Sequence, residues 1–274
     1  MKHNYFIILA IAAFAAILCL PAPGLASSLL GSAQSFAVLG ASAVTSTGPT
    51  TINGDLGISP NLVGSITIVP PFTQTGSIYG GPLSLAGQAQ IDALVAYTGL
   101  AGLPFTTHYL VPTDLGGLTL TPGVYKFDSS AGLTGTLTLD FTGNPNADFV
   151  FQIGSTLITA SNSSVIVNNG NSTSGVYWQV GSSATLGTNT MFAGNILAHD
   201  SVGLDPYAEI LGGRAIALNA AVTMSGTNGI SNNNPVHDFG SYGFSGGTPV
   251  PVPGTLLLLG SGLLGVVLRK TKIV

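Results

Sequence analysis

The sequence predicts a mainly β protein folded as a solenoid with one long α-helix packed alongside. Two observations carry that prediction. Between Phe149 and Ile230 one theme returns four times: an apolar strand, a Gly or small-residue corner, a second short strand and a polar turn. It reads FVFQIGSTLITAS from Phe149, VYWQVGSSATLGT from Val176, NILAHDSVGLDP from Asn195 and AIALNAAVTMSG from Ala215. A repeat of roughly 20 residues marks coils that each bury one face only by stacking on the next. The second observation is a single helical pattern inside a chain that otherwise reads as short strands and contains 38 glycines.

Taken in order, residues 1–26 begin with Lys2 and His3, run apolar from Tyr5 to Leu20, and end in Pro21, Pro23, Gly24 and Ala26. That is the pattern of a secretory signal cut after Ala26. Residues 27–82 follow as strand-like pieces between Asn-Gly, Gly-Pro and Pro-Pro turns, expected to form the first coils and a cap. Over about 83–103, Ala86, Ala89, Ala93, Ala96 and Leu100 recur at helical spacing, with Leu94 and Tyr97 beside them. Gly99, Gly102 and Pro104 end the helix, and its small residues suit close approach to the coils.

From Leu115 the text returns to strands, with Leu133, Leu137 and Leu139 interleaved with threonines. In the coils that follow, Val165, Phe192, Ile210 and Ile230 align as inward residues at steps of 27, 18 and 20, which gives the first coil an extra loop within Asn168–Ser174. Trp178 is expected in the core. The solenoid domain thus spans 27–230. Residues 231–249 form an Asn/Gly/Ser spacer, and 250–274 hold Val-Pro-Val-Pro, an apolar stretch from Thr255 to Leu268, and Arg269, Lys270 and Lys272. That stretch falls short of the roughly 20 residues that cross a bilayer, but it can retain a chain at a membrane with its basic end inside.

Charge and chemistry narrow the function classes. Charged residues make up 6% of the chain, against about 25% in average domains. Between leader and tail only Lys126 and Arg214 are basic, while all ten acids lie between Asp55 and Asp238. Such a body cannot neutralise a phosphate backbone, so nucleic acid is excluded as a partner. The single cysteine, Cys19, sits in the leader, leaving the body without thiol chemistry. The neighbours His199-Asp200 and His237-Asp238 point to alternate faces on a strand and form no metal set; His108 reads as a loop residue, and no cofactor is indicated. Asp200, Asp205, Glu209 and Arg214 are the one constellation a polysaccharide-cleaving solenoid could use, and isolated turn residues explain them as well. The expectation is a protein that is not an enzyme.

Two resemblances enter on these residues. The phrases LGSAQSFAVLGASAVTSTGPTTINGDLGISP, LGGLTLTPGVYKF, GLTGTLTLD, ADFVFQIGSTL, VYWQVGSSATLGT and GRAIALNAAVT resemble the bacterial and fungal ice-binding family also called DUF3494. The resemblance implies a discontinuous right-handed β-solenoid, triangular in section, with a helix alongside and one face that adsorbs to ice. The tail resembles a PEP-CTERM sorting signal, with Val252 where that family usually has Glu. It implies export to the cell surface or exterior, an exosortase-type processing enzyme as a partner, and a membrane-held C-terminal segment.

Ice presents an ordered array of oxygens without charge, so its binder needs a rigid, weakly charged surface repeating at a crystal-like interval. Stacked coils repeat at ~4.8 Å and alternate strand residues at ~6.6 Å. Thr suits such rows because its hydroxyl bonds water, its methyl cages the next water and its β-branch limits rotamers. Thr185, Gly203 and Thr223 align on the second short strand, outward between apolar neighbours. Turns before the inward residues add further hydroxyl and amide positions. The candidate contacts are Thr159, Ser161, Ser164, Thr185, Thr188, Asn189, Thr190, Ser201 and Thr223. The pattern is interrupted by Pro206, Tyr207 and Glu209 in the third coil, which favours a second reading: a matrix protein using the same face on exopolysaccharide or cells.

Overall fold

The computed structural model describes residues 29–171 and 174–231. The expected secretory signal, nearly all of the spacer and the C-terminal segment lie outside the described residues. No described helix is long and apolar enough to cross a membrane.

Short strands stack in coils with every pairing parallel, and each coil has three sides. One side is an eight-stranded sheet of short strands in the order Ile66–Ile68, Val44–Ser46, Val222–Met224, Val202–Leu204, Ala184–Leu186, Leu157–Thr159, Ala131–Leu133, Thr113–Asp114. The other two sides belong to one fifteen-stranded sheet that bends along an edge. In the middle coils single long strands, Met191–Ala198 and Glu209–Ala217, run through that edge. Glycines make the bend possible: Gly194 has φ 103°, and a Cβ on Gly213 would come within 1.9 Å of the Gly194 carbonyl oxygen. No larger residue fits between two backbones that close.

The stacking order departs from chain order at one joint. Val38 pairs with Ala215, Val44 with Val222 and Thr50 with Asn228, so the first coil sits on the last. The helix α1, Leu85–Ala101, connects the two halves of this discontinuous solenoid. Its 17 residues span about 25 Å, which takes the chain from the end at Ile78–Gly80 to the end at Thr107–Tyr109. Ser84 caps it, its Oγ accepting from the Ala86 N–H at 3.1 Å.

The helix is two residues shorter at each end than the sequence suggests, and its buried face is the expected one: Ala86, Ala89, Ala93, Ala96 and Leu100, together with Gly87. These pack on Leu39, Val150, Tyr177, Leu197 and Ile216 of the helix side. Two glutamines tie the layers. Gln90 Nε2 donates to the carbonyls of Gly40 and Ala217, at 3.0 and 3.1 Å, and Gln152 Nε2 donates to those of Leu100 and Leu103, at 2.7 and 2.9 Å.

Inside the coils, Val165, Phe192, Ile210 and Ile230 are buried and follow one another through the parallel registers. Trp178 is fully buried, stacks on Phe151 at 3.9 Å between centroids, and donates from Nε1 to the Ala193 carbonyl at 3.0 Å. Such a stack buries a large apolar area while satisfying the indole N–H.

Candidate functional site

The surface of interest grows from a three-residue motif. In each three-residue strand of the eight-stranded sheet the flanking residues turn inward and the middle residue turns out, as strand alternation requires. Thus Ala184 and Leu186 are buried and Thr185 is exposed; Val222 and Met224 are buried and Thr223 is exposed. Because the strands pair in register, the middle residues form one straight row: Thr67, Thr45, Thr223, Gly203, Thr185, Ile158, Gly132, Asp114. Eight strands at ~4.8 Å give the row a length of about 34 Å.

A second row runs beside it, one position before each strand. The backbone ladder continues there, with the N–H of Leu157, Ala184, Val202 and Val222 donating to the carbonyls of Ser183, Ser201, Ala221 and Ala43. This row holds Ser130, Thr156, Ser183 and Ser201. Within it Ser130 and Thr156 hydroxyls bond at 2.9 Å, and Ser201 Oγ donates to Ser183 Oγ at 2.9 Å. Hydroxyls bonded to their row neighbours are fixed in direction, so less rotamer entropy is lost when they meet an ordered surface.

Charge is kept to the margins. At the far end of the row burial pushes the Asp114 carboxyl up, but hydrogen bonds from Gly116 and Thr134 outweigh it and hold the group below its ordinary value. In one coil Asp200 stands at one corner, bonded to His199 Nδ1 at 2.8 Å and accepting from Ser182 Oγ at 3.0 Å, and Asp205 stands at the other. None of these carboxylates interrupts the stretch from Thr67 to Thr185.

The other two sides differ. One is covered by α1. On the third side the row Thr136, Ser164, Met191, Glu209, Gly229, Thr51, Thr73 is broken in its middle by a half-exposed methionine and a carboxylate.

The sequence-derived contacts are therefore divided. Thr185, Ser201 and Thr223 share the short-strand surface. Ser161, Thr188 and Asn189 lie in the turns at its corner, and Ser164 faces out on the third side. Thr159 and Thr190 are corrections: at 3% and 0% exposure they are inside the coil, their hydroxyls bonded to each other at 2.8 Å. Thr159 ends the triplet Leu157-Ile158-Thr159, so the inward phase falls on it, and Thr190 turns in beneath the Asn189 corner. Sequence alignment of the four late coils missed Thr45 and Thr67. Their signal was present in Val44-Thr45-Ser46 and Ile66-Thr67-Ile68, which repeat the Val222-Thr223-Met224 pattern.

The enzyme-like constellation comes apart. Arg214 is 1% exposed and donates from Nε and Nη2 to the Gln34 carbonyl and from Nη1 to Asn195 Oδ1, whereas Glu209 is exposed on the third side. His108 lies in a strand, Thr107–Tyr109, rather than a loop, and bonds Asp128 at 2.8 Å. Among the described residues no group of three His, Cys, Asp or Glu could hold a metal.

The fold and surface define a class: discontinuous β-solenoids with a helix alongside and one hydroxyl-rich sheet whose charge is confined to its end. Residues 38–230 match the family model described as ice-binding-like, and residues 249–271 match the PEP-CTERM protein-sorting motif. An ice-binding protein of Nostoc sp. (strain HG1) is 48% identical over 99% of this chain and 97% of its own length. The crystal structure of an ice-binding protein from the Antarctic ascomycete Antarctomyces psychrotrophicus is similar with a TM-score of 0.68 and 37% identity, over 75% of this chain and 98% of that one. A second, from an Antarctic biological consortium, gives a TM-score of 0.66 and 40% identity over 76% and 94%. The chain belongs to the ice-binding-like family, and its sorting motif marks it for export to the surface or exterior of the cell.

Proposed function

We propose that this protein adsorbs to ice through the outer surface of its eight-stranded sheet, and that it does so without catalysis. The observation that carries the reading is the in-register row Thr67, Thr45, Thr223, Gly203, Thr185, flanked by small residues, Ser65, Ala43, Ala221, Ser201 and Ser183, and free of charge over that length. The hydroxyls and methyls hold interfacial water in positions that a crystal plane can adopt. Growth then continues only between bound molecules, at a curvature that opposes it. The corner residues Ser161, Thr188 and Asn189 border this surface and extend it, while Ser164 serves the third side. The C-terminal segment, by its sorting motif, delivers the domain to an exosortase-type enzyme or retains it at the membrane.

The purified protein should show thermal hysteresis and faceted crystals. Thr45→Tyr and Thr223→Tyr place a bulky ring in the middle of the row and should remove most of the hysteresis. Thr51→Tyr places the same ring on the third side and should leave it intact. Equal effects at the two sites, or ordinary crystal growth in the parent at high concentration, would rule out this surface.

A further inference from the structure

A groove of about 550 Å³ runs where the short-strand surface turns into the third side, a size within the ~300–1,000 Å³ range of small-molecule clefts. Its upper wall is a column of corner residues from three successive coils, Asn162, Asn189 and Tyr207. Its floor is the row Ser164, Met191, Glu209 on the paired strands below. Asn189 borders the ice surface as well, but the exposed ring of Tyr207 and the carboxylate of Glu209 break any planar water array, so the rest of the groove has no role in the ice reading.

The column has a feature that its packing does not require. All three residues take left-handed backbone, with φ 63° at Asn162, 59° at Asn189 and 64° at Tyr207. Asn tolerates that conformation because its short side chain bonds locally, whereas a bulky residue there is strained. Two coils use the tolerant residue. The third uses tyrosine, 59% exposed, with its ring laid open on the groove. Strained backbone of this kind clusters at ligand clamps and active sites.

The polar groups beside the ring complete a recognisable set. Asn189 Nδ2 donates to Asn162 Oδ1 at 3.1 Å, which orients the two amides and leaves Asn162 Nδ2 and Asn189 Oδ1 for other partners. Glu209 is exposed one strand from Met191, and Ser164 Oγ is bonded to Thr136 at 2.9 Å. An aromatic face, a pair of oriented amides and one carboxylate are what a ligand with an apolar C–H face and a rim of hydroxyls demands. We infer that this groove binds a neutral pyranose chain, one sugar ring stacked on Tyr207 with its hydroxyls held by Glu209 and Asn189, and the next ring along the column held by Asn162. Acidic saccharides are disfavoured by Glu209 and by the body's excess of acids, ten against two bases. The groove floor lies on the third side, so an exported molecule holds matrix polysaccharide there while the short-strand surface meets ice.

The test uses the purified protein with cello- and malto-oligosaccharides as neutral probes and oligogalacturonate as the acidic control, read by saturation-transfer NMR and calorimetry. The variant Tyr207→Asn installs the residue found in the two preceding coils, so it should fold at least as stably as the parent. It should weaken neutral-oligosaccharide binding about tenfold or more, the size expected for one stacked ring, and leave thermal hysteresis unchanged. Glu209→Gln should weaken the same binding. Undetectable binding of every neutral probe, equal binding by Tyr207→Asn, or preference for oligogalacturonate would each overturn the assignment. Loss of hysteresis in the parent would instead strike the ice reading and leave this one standing.

Discussion

Asp148 makes the protein's stability depend on pH, and the effect can be worked from its surroundings. It opens the strand Asp148–Ile153, with Oδ1 shut off from solvent and without a hydrogen-bond partner among the described residues. Burial pushes its carboxyl up to about 7, against a single favourable neighbour, the Gly175 backbone N–H. An unfolded Asp titrates near 3.9, so the gap of about three units corresponds to at most ~4 kcal/mol. Asp148 keeps part of its surface in solvent, so about half of that, ~2 kcal/mol, is the expected size.

The folded state holds the proton more tightly than the unfolded chain. Its contribution is therefore fully present below about pH 3.9 and is lost as pH rises toward 7. Asp148→Asn is neutral at every pH and lacks this loss. Urea unfolding of parent and variant at pH 4 and pH 8 gives the difference, in which other titrating groups cancel. The parent should lose about 2 kcal/mol more than the variant over that range. Profiles parallel to within about 0.5 kcal/mol would refute the claim that the buried carboxyl carries the effect.

Two further outcomes test the interior. Trp178→Ala removes the ring stacked on Phe151 and leaves the Ala193 carbonyl without its donor; it should destabilise by about 3–5 kcal/mol in the same unfolding assay. Thr159→Val takes the acceptor from the buried Gly187 N–H and leaves the Thr190 hydroxyl only a 3.4 Å bond to the Ala160 carbonyl, and should destabilise by about 1–3 kcal/mol; adding Thr190→Val should recover only the hydroxyl's share, since the Gly187 N–H stays unpaired. Neither variant should change thermal hysteresis, because both hydroxyls are inside; a drop in activity at unchanged stability would place them on the ice surface after all.

How much of this was legible beforehand differs by residue. The alternation in Ala184-Thr185-Leu186 and Val222-Thr223-Met224 is local, so the outward phase of the central row could be read directly. The helix face of Ala86, Ala89, Ala93, Ala96 and Leu100 was legible for the same reason, since periodicity reports which side of an element is buried. Turns carry no such period. At Ser161, Thr188, Asn189 and Thr190, one residue of a corner points out and the next points in, and only the left-handed backbone at Asn162 and Asn189 decides which.

By itself the sequence determined that coils would stack, that a lone helix would press small residues against them, and that no charge-driven partner was available. Each of these follows from composition, from periodicity within an element, or from a repeat no longer than one coil. Tertiary structure alone decided that Thr45 and Thr67 continue the row of Thr223 and Thr185, because the first coil docks on the last across some 180 residues of chain, from Val38 to Ala215. It also decided that Glu209 and Arg214, five positions apart, face different sides of the coil, since the strand joining them turns the edge at Gly213. Pairing over that distance and a bend inside one strand are set by what packs against what, and no window of sequence contains both partners.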